Sequence, residues 1–238
     1  MKILAVSDIE DKILENKIET GNGSLKTVDC VMSCGDLTKQ YLEYITDGVN
    51  KNLYFVAGNH FAAQFYDDFK SRAALRKIYR GKGLRHHSGG LDMHGTAEIF
   101  GDYIIAGFGG SQRYNPGTFQ FSEIEMERIV NRVKSAIRLR RFWNFITFRK
   151  KREIIVMSHA PVAGVHDKED RCHAGFKCFR KFVFEMEPLL WLHGHVHLEG
   201  QIKRQQSVLD KTEIVNVYSS RIIEVEGRKI SVKQVYDK

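Results

Sequence analysis

Five apolar, β-prone runs in this chain stop on side chains able to bind a cation or carry a proton. Lys2 to Val6 runs into Ser7-Asp8, Val28 to Ser33 into Gly35-Asp36, and Leu53 to Ala57 into Gly58-Asn59-His60. Ile154 to Met157 runs into Ser158-His159, and Leu189 to Leu192 into His193-Gly194-His195-Val196-His197. Singly, such endings are ordinary, because Gly, Asn and Asp tolerate turn geometry and a lone histidine often serves as a hydrogen-bonded core residue. Jointly they suggest a site. In open α/β sheets the carboxyl ends of the strands gather loops from distant parts of the chain into one crevice, so Asp8, Asp36, Asn59, His159, His195 and His197 are expected to meet. Oxygen and imidazole donors without a thiolate suit Mn²⁺, Fe or Zn²⁺ better than a cysteine-rich structural zinc centre. A carboxylate shared by two ions would hold them about 3.5–4 Å apart, the spacing used for in-line phosphoryl displacement. His193 reads as a packed strand histidine.

Helices must connect these strands. Tyr41 to Val49, Phe65 to Ile78 and Ala174 to Met186 have helical apolar spacing. The clearest helix starts at Ser122, a capping residue with Glu125 as its capping-box partner, and continues through Met126, Ile129, Val130, Val133 and Ile137 on one face. Thr96 to Phe100 with Tyr103 to Gly107, and Ile222 to Val225 with Lys229 to Val235, read as hairpins. Strands linked by helices, with hairpins added, predict an α/β fold with mixed sheets. No linker or repeat divides the chain, so one domain over 1–238 is expected, with a helical basic and aromatic insertion near 118–152.

The composition allows this. A chain of 238 residues with 42% hydrophobic residues can bury a core, which excludes global disorder. It contains no uncharged apolar run of about 18 residues, and its first residues reach Asp8 too soon for a signal peptide, so a cytoplasmic protein is expected. Cys30, Cys34, Cys172 and Cys178 fit neither paired zinc-site spacing nor a disulfide scaffold and read as reduced thiols. The net charge of +8 favours anionic partners.

In order, the motifs resemble the signature of the calcineurin-like metallophosphoesterases: DxH, GD, GNH, a lone H, and GHxH. The matching stretches are Asp8-Ile9-Glu10, Gly35-Asp36, Gly58-Asn59-His60, His159 and Gly194-His195-Val196-His197. The resemblance implies a four-layer α/β/β/α sandwich with two mixed sheets and two divalent ions, Mn²⁺ first, with Fe or Zn²⁺ as alternatives. It further implies Asp8 and His197 on one ion, Asn59, His159 and His195 on the other, and Asp36 bridging them. Attack by a metal-bridging hydroxide on a phosphodiester or phosphomonoester would follow, with His60 assisting the leaving group. Glu10 stands where the family usually has histidine and is expected to replace it as a ligand. Phe61 stands where many members carry an acidic residue that could orient His60.

Arg113, in the loop Gly109 to Gly117, is a candidate phosphate clamp or an incidental surface arginine. His166, with Asp167, Asp170 and His173, is a candidate substrate contact or a supporting loop residue. The implied substrate is a small organic phosphate or nucleotide. Nucleic acid is the alternative that the charge favours, and a non-catalytic protein-binding scaffold is the third. Arg138 to Arg152 holds seven Arg and Lys residues, no acid, and interleaved Leu139, Phe142, Trp143, Phe145, Ile146 and Phe148. It reads as a helix end with core-filling aromatics, a substrate-facing lid, a nucleic-acid contact or a membrane-surface contact.

Overall fold

From Ile3 to Ser7 the first strand is buried at every residue, so both of its faces must be covered. Ile3 and Ala5 join an apolar cluster with Ile105, Ile155, Met157 and Leu192, whereas Leu4 and Val6 join one with Leu14, Leu42 and Ile45. Successive strand residues face opposite ways. One side of this strand therefore meets a second sheet and the other meets helices.

The computed structural model describes residues 1–21, 23–60, 90–148, 150–198 and 205–235. Its elements begin with β1 (Lys2–Ser7), α1 (Lys12–Glu19), α2 (Gly23–Lys26), β2 (Cys30–Ser33), α3 (Lys39–Val49), β3 (Leu53–Phe55) and β4 (Leu91–Asp92). Next come β5 (Ala97–Phe100), β6 (Tyr103–Phe108), β7 (Ser111–Gln112), β8 (Gln120–Phe121), α4 (Glu123–Ile146) and β9 (Glu153–Ser158). They end with α5 (Lys177–Met186), β10 (Leu190–His193), β11 (Gln206–Leu209), β12 (Thr212–Asn216), β13 (Ser219–Glu226) and β14 (Lys229–Gln234). One six-stranded sheet has the order β14-β13-β1-β2-β3-β4, the other β11-β12-β10-β9-β6-β5, and both mix parallel with antiparallel pairs. This is the expected four-layer α/β/β/α arrangement. The two expected hairpins are β5–β6 and β13–β14. Phe65 to Ile78 and Phe61 lie outside the described residues.

The central strands of both sheets are parallel and end together, which is what delivers the terminal residues of β1, β2, β9 and β10 to one edge. On the helix side of the second sheet, Trp191 packs among Phe108, Phe179 and Phe182, with ring centroids 5.2–6.1 Å apart. Its indole N–H donates to Ser158 Oγ at 2.8 Å, tying the core to the residue before His159.

α4 begins as its sequence predicts. Glu125 N–H donates to Ser122 Oγ at 3.3 Å and Ser122 N–H donates to Glu125 Oε2 at 2.7 Å, closing the capping box. Ser122→Ala should cost about 1 kcal/mol, read as a lowered denaturation midpoint at unchanged slope. Met126, Ile129, Val130, Val133 and Ile137 are buried as expected, but the pattern stops there. Leu139, Phe142, Trp143, Phe145, Ile146 and Phe148 are exposed, so these apolar side chains do not fill the core. No helix among the described residues is long and apolar enough to cross a membrane.

Candidate metal centre

The strand ends are shaped by close approach. Asp8, Asp36 and His195 adopt left-handed backbone, with φ of 69°, 54° and 69°, a conformation that costs a non-glycine residue about 1–2 kcal/mol. A side chain on Gly58 would collide with the Asp36 carboxylate, and one on Gly194 with Ser7 Oγ and the Asp8 carboxylate. The glycine of one motif thus makes room for the acid of another.

His159, at the end of β9, is fully buried and joins three of these ends. Its Nδ1–H donates to the Cys34 carbonyl at 2.8 Å, while Nε2 lies 2.9 Å from Asn59 Oδ1 and 3.3 Å from Asp36 Oδ2. Burial opposes charge on this ring, but Asp36 beside it and then Asp8 draw its pKa up to about 9. Burial likewise opposes charge on Asp36, yet His159 and the His60 backbone N–H, 3.0 Å from Oδ1, hold it below the usual carboxylate range. Burial pushes Asp8 upward. The Asp8 oxygens both accept the His195 backbone N–H at 3.0 Å. The His195 side chain donates from Nε2 to the Cys172 carbonyl at 2.7 Å, and burial followed by repulsion from His159 pushes its pKa down to about 3.

Ligand atoms of Asp36, His159 and His195 all lie within 4.8 Å of one another. This donor set fits a divalent ion. With Nδ1–H committed to a carbonyl, Nε2, which faces the Asn59 and Asp36 oxygens, is the His159 nitrogen that would give up its proton to an ion. By the same reasoning the Nε2–H bond leaves Nδ1 on His195. Asn59 Nδ2 donates to the Tyr114 hydroxyl at 3.0 Å, which turns Oδ1 toward His159 Nε2.

The remaining expected residues are arranged differently. Glu10 is exposed and its carboxylate accepts the Thr38 hydroxyl at 2.6 Å. His197 is exposed with its ring 4.9 Å from that of Tyr218. Asp8, Glu10 and His197 do not converge as closely as the Asp36 group does. His60 exposes its imidazole while its backbone is fixed to Asp36. Arg113, proposed as a phosphate clamp, instead pairs with Glu125 at 2.8 Å and donates to the Gln120 carbonyl. It still borders a cleft of about 550 Å³ with Tyr114, Asn115 and Arg171. His166 is turned inward: its Nδ1 meets His193 Nε2 at 3.0 Å and its Nε2 meets Ser207 Oγ at 2.8 Å. Burial pushes the pKa of His166 down to about 4 and that of His193 to about 3. His193 is the packed strand histidine that its sequence position suggests. Asp167 accepts the Gly164 and Gly175 backbone N–H groups, a loop-closing role.

Tyr114 and Cys172 carry no signal in the sequence for the contacts they make here. Each reaches the centre from a loop, one through a hydroxyl on Asn59 and the other through a main-chain carbonyl on His195.

The chain belongs to the calcineurin-like phosphoesterase family, whose model matches residues 1–199. Membership implies metal-dependent phosphoester hydrolysis and divalent metal ions. No curated protein matches the chain. Among solved structures, it is similar to TT1561 of Thermus thermophilus, with a TM-score of 0.63, 16% identity and 98% of each chain covered. It is also similar to a dimetal phosphatase from Danio rerio, with a TM-score of 0.56, 11% identity, and 98% of this chain and 95% of that one covered. GAP50, described as the anchor in the inner membrane complex of Plasmodium, matches with a TM-score of 0.56 and 11% identity over 98% of this chain and 83% of that one. At these identities the likeness shows the fold alone. A phosphatase and an anchor share it, so the fold leaves the chemistry to the site.

Proposed function

We propose that the protein is a divalent-metal-dependent phosphoesterase acting on a small phosphodiester or phosphomonoester. The observation that carries this reading is the convergence of Asp36, His159 and His195 from separate strand ends. In this reading Asn59, His159 and His195 hold one ion, Asp8, Glu10 and His197 the other, and Asp36 contributes to both. When bound, such ions neutralise phosphate oxygens and make water acidic enough to supply a nucleophile near neutral pH.

The chain's own groups do the rest. Tyr114 fixes the Asn59 amide through Nδ2, which keeps Oδ1 beside His159 Nε2 on the ligand side. The His60 imidazole, next to Asn59 and anchored through its backbone to Asp36, is available to protonate a departing alkoxide. In the neighbouring cleft Arg113 is paired with Glu125, and Arg171 is the second cation of a lining that also holds Glu123, Tyr114 and Asn115, polar groups that suit a phosphate ester's substituents.

The test uses chelator-treated protein given Mn²⁺, Fe²⁺ or Zn²⁺. Substrates are bis-p-nitrophenyl phosphate, p-nitrophenyl phosphate, 2′,3′-cyclic nucleotides and single-stranded DNA. A divalent ion, Mn²⁺ most effectively, should restore hydrolysis of a small ester. Cleavage of DNA alone would make the protein a nuclease, and no hydrolysis despite bound metal would leave a binding scaffold.

Glu10 offers a narrower test. Thr38 engages Oε1 of its carboxylate; if Oε2 serves the ion on the Asp8 side, Glu10→Ala should weaken that ion and leave the one on His159 in place. Glu10→His should retain activity with an altered metal preference. Metal content per chain and metal-dependent turnover read both effects, and two unchanged profiles would reduce Glu10 to a turn residue.

A further inference from the structure

We propose that Cys172, His173 and His195 form a separate site for a thiophilic divalent ion such as Zn²⁺, and that this site competes with the hydrolytic centre for His195. The competition rests on the reading above; the site itself does not. Ligand atoms of these three residues lie within 4.8 Å of one another, and the rings of His173 and His195 are 5.1 Å apart.

Asp170 organises the set. Its carboxylate accepts His173 Nδ1–H at 2.8 and 2.9 Å and the backbone N–H groups of Cys172 and His173 at 3.1 and 3.0 Å. That leaves His173 Nε2 as the ligating nitrogen, backed by a carboxylate in the way metal-bound histidines often are. A thiolate beside two imidazoles favours Zn²⁺ over harder ions. With Nε2–H given to the Cys172 carbonyl, His195 keeps one lone pair on its ring. One lone pair cannot serve two ions, so occupancy of the thiol site withdraws a ligand from Asp36 and His159.

Cobalt(II) titration of chelator-treated protein tests the site without reference to hydrolysis. The wild type should develop a thiolate-to-cobalt charge-transfer band in the near ultraviolet. Cys172→Ser should lack it, and His173→Asn should bind cobalt about 10- to 100-fold more weakly. A wild type without the band, or a band that survives Cys172→Ser, overturns the site. Competition is read separately: Zn²⁺ should inhibit Mn²⁺-supported hydrolysis, and Cys172→Ser should raise the half-inhibitory Zn²⁺ concentration about tenfold or more. Equal inhibition of both proteins overturns the competition.

The end of α4 carries a second, independent inference. Leu139, Phe142, Trp143 and Ile146 fall at i, i+3, i+4 and i+7, one stripe of the helix, and are 58%, 58%, 58% and 42% exposed. Phe145 and Phe148 add exposures of 78% and 98%. Exposed apolar clustering of this kind marks a contact surface. The chain from 138 to 152 has no acidic residue; Arg138 and Arg140 are paired with Glu185 and Glu98, while Lys150 and Lys151 are exposed. A second copy of this chain would set these cations against their own kind. An anionic lipid surface takes both the rings and the charge, and we infer that this is what the segment binds.

Sedimentation with phosphatidylcholine vesicles, with and without phosphatidylserine, tests it. The protein should bind the phosphatidylserine vesicles, release as salt rises, and lose binding when Phe142, Trp143 and Phe145 are replaced by serine. These side chains are exposed, so the variant should fold normally. Absence of vesicle binding, binding only to single-stranded DNA, or a wild-type dimer that the variant disperses would each overturn the lipid assignment.

Discussion

Asp36→Ala is expected to abolish hydrolysis and remove bound metal in the same step. Asp36 lies 3.3 Å from His159 Nε2 through one oxygen and accepts the His60 backbone N–H through the other. Truncation leaves the buried His159 ring without its carboxylate partner, and it detaches the turn carrying Asn59 and His60. Asp36→Asn separates these effects. The amide keeps the shape packed against Gly58 but not the charge, so it should fold close to normally and still lose metal. Metal content and turnover measured together on both variants give the answer, and wild-type turnover in Asp36→Ala would sink the proposed centre.

His60→Ala should behave in the opposite way, keeping metal while losing rate. The imidazole is exposed and takes no part in the Asp36–His159–His195 cluster, so its removal leaves the donors in place. Loss of a general acid should cost about 10²- to 10⁴-fold on esters with poor leaving groups. Nitrophenyl esters need little help from a proton and should lose much less. Equal losses on both kinds of substrate would reassign His60 to binding or structure.

The convergence of Asp36, His159 and His195 was legible because two local signals coincide at each one: an apolar run that must be buried, then a polar residue no core would accept without a partner. The α4 cap was legible for a similar reason, since Ser122 and Glu125 satisfy each other within one turn. Contacts set across the chain were not. Glu10 is directed by Thr38, 28 residues away; Arg113 is claimed by Glu125 in the first turn of α4; and Cys172 acts on His195 through a carbonyl, which every residue possesses. Phe142 and Trp143 show a different limit. Hydrophobicity indicates that a side chain gains by leaving water but not what covers it, so a helix stripe with no neighbouring layer has the same sequence pattern as one facing a core.

The pairing of β1 with β13 has a consequence for how the molecule is made. β1 is a central strand, yet one of its neighbours joins Lys2 to Glu224 and Ser7 to Ser219, partners separated by most of the chain. Loop closure over such distances is slow relative to local pairing. During synthesis, β1 and β2 therefore expose an unpaired edge of nearly continuous apolar sequence until β13 emerges, the kind of edge on which nascent chains aggregate. Asp8, at the end of β1, meets the backbone N–H of His195 only once most of the chain has been made, so a newly made chain should pair β1 with β2 well before it can bind its full complement of ions.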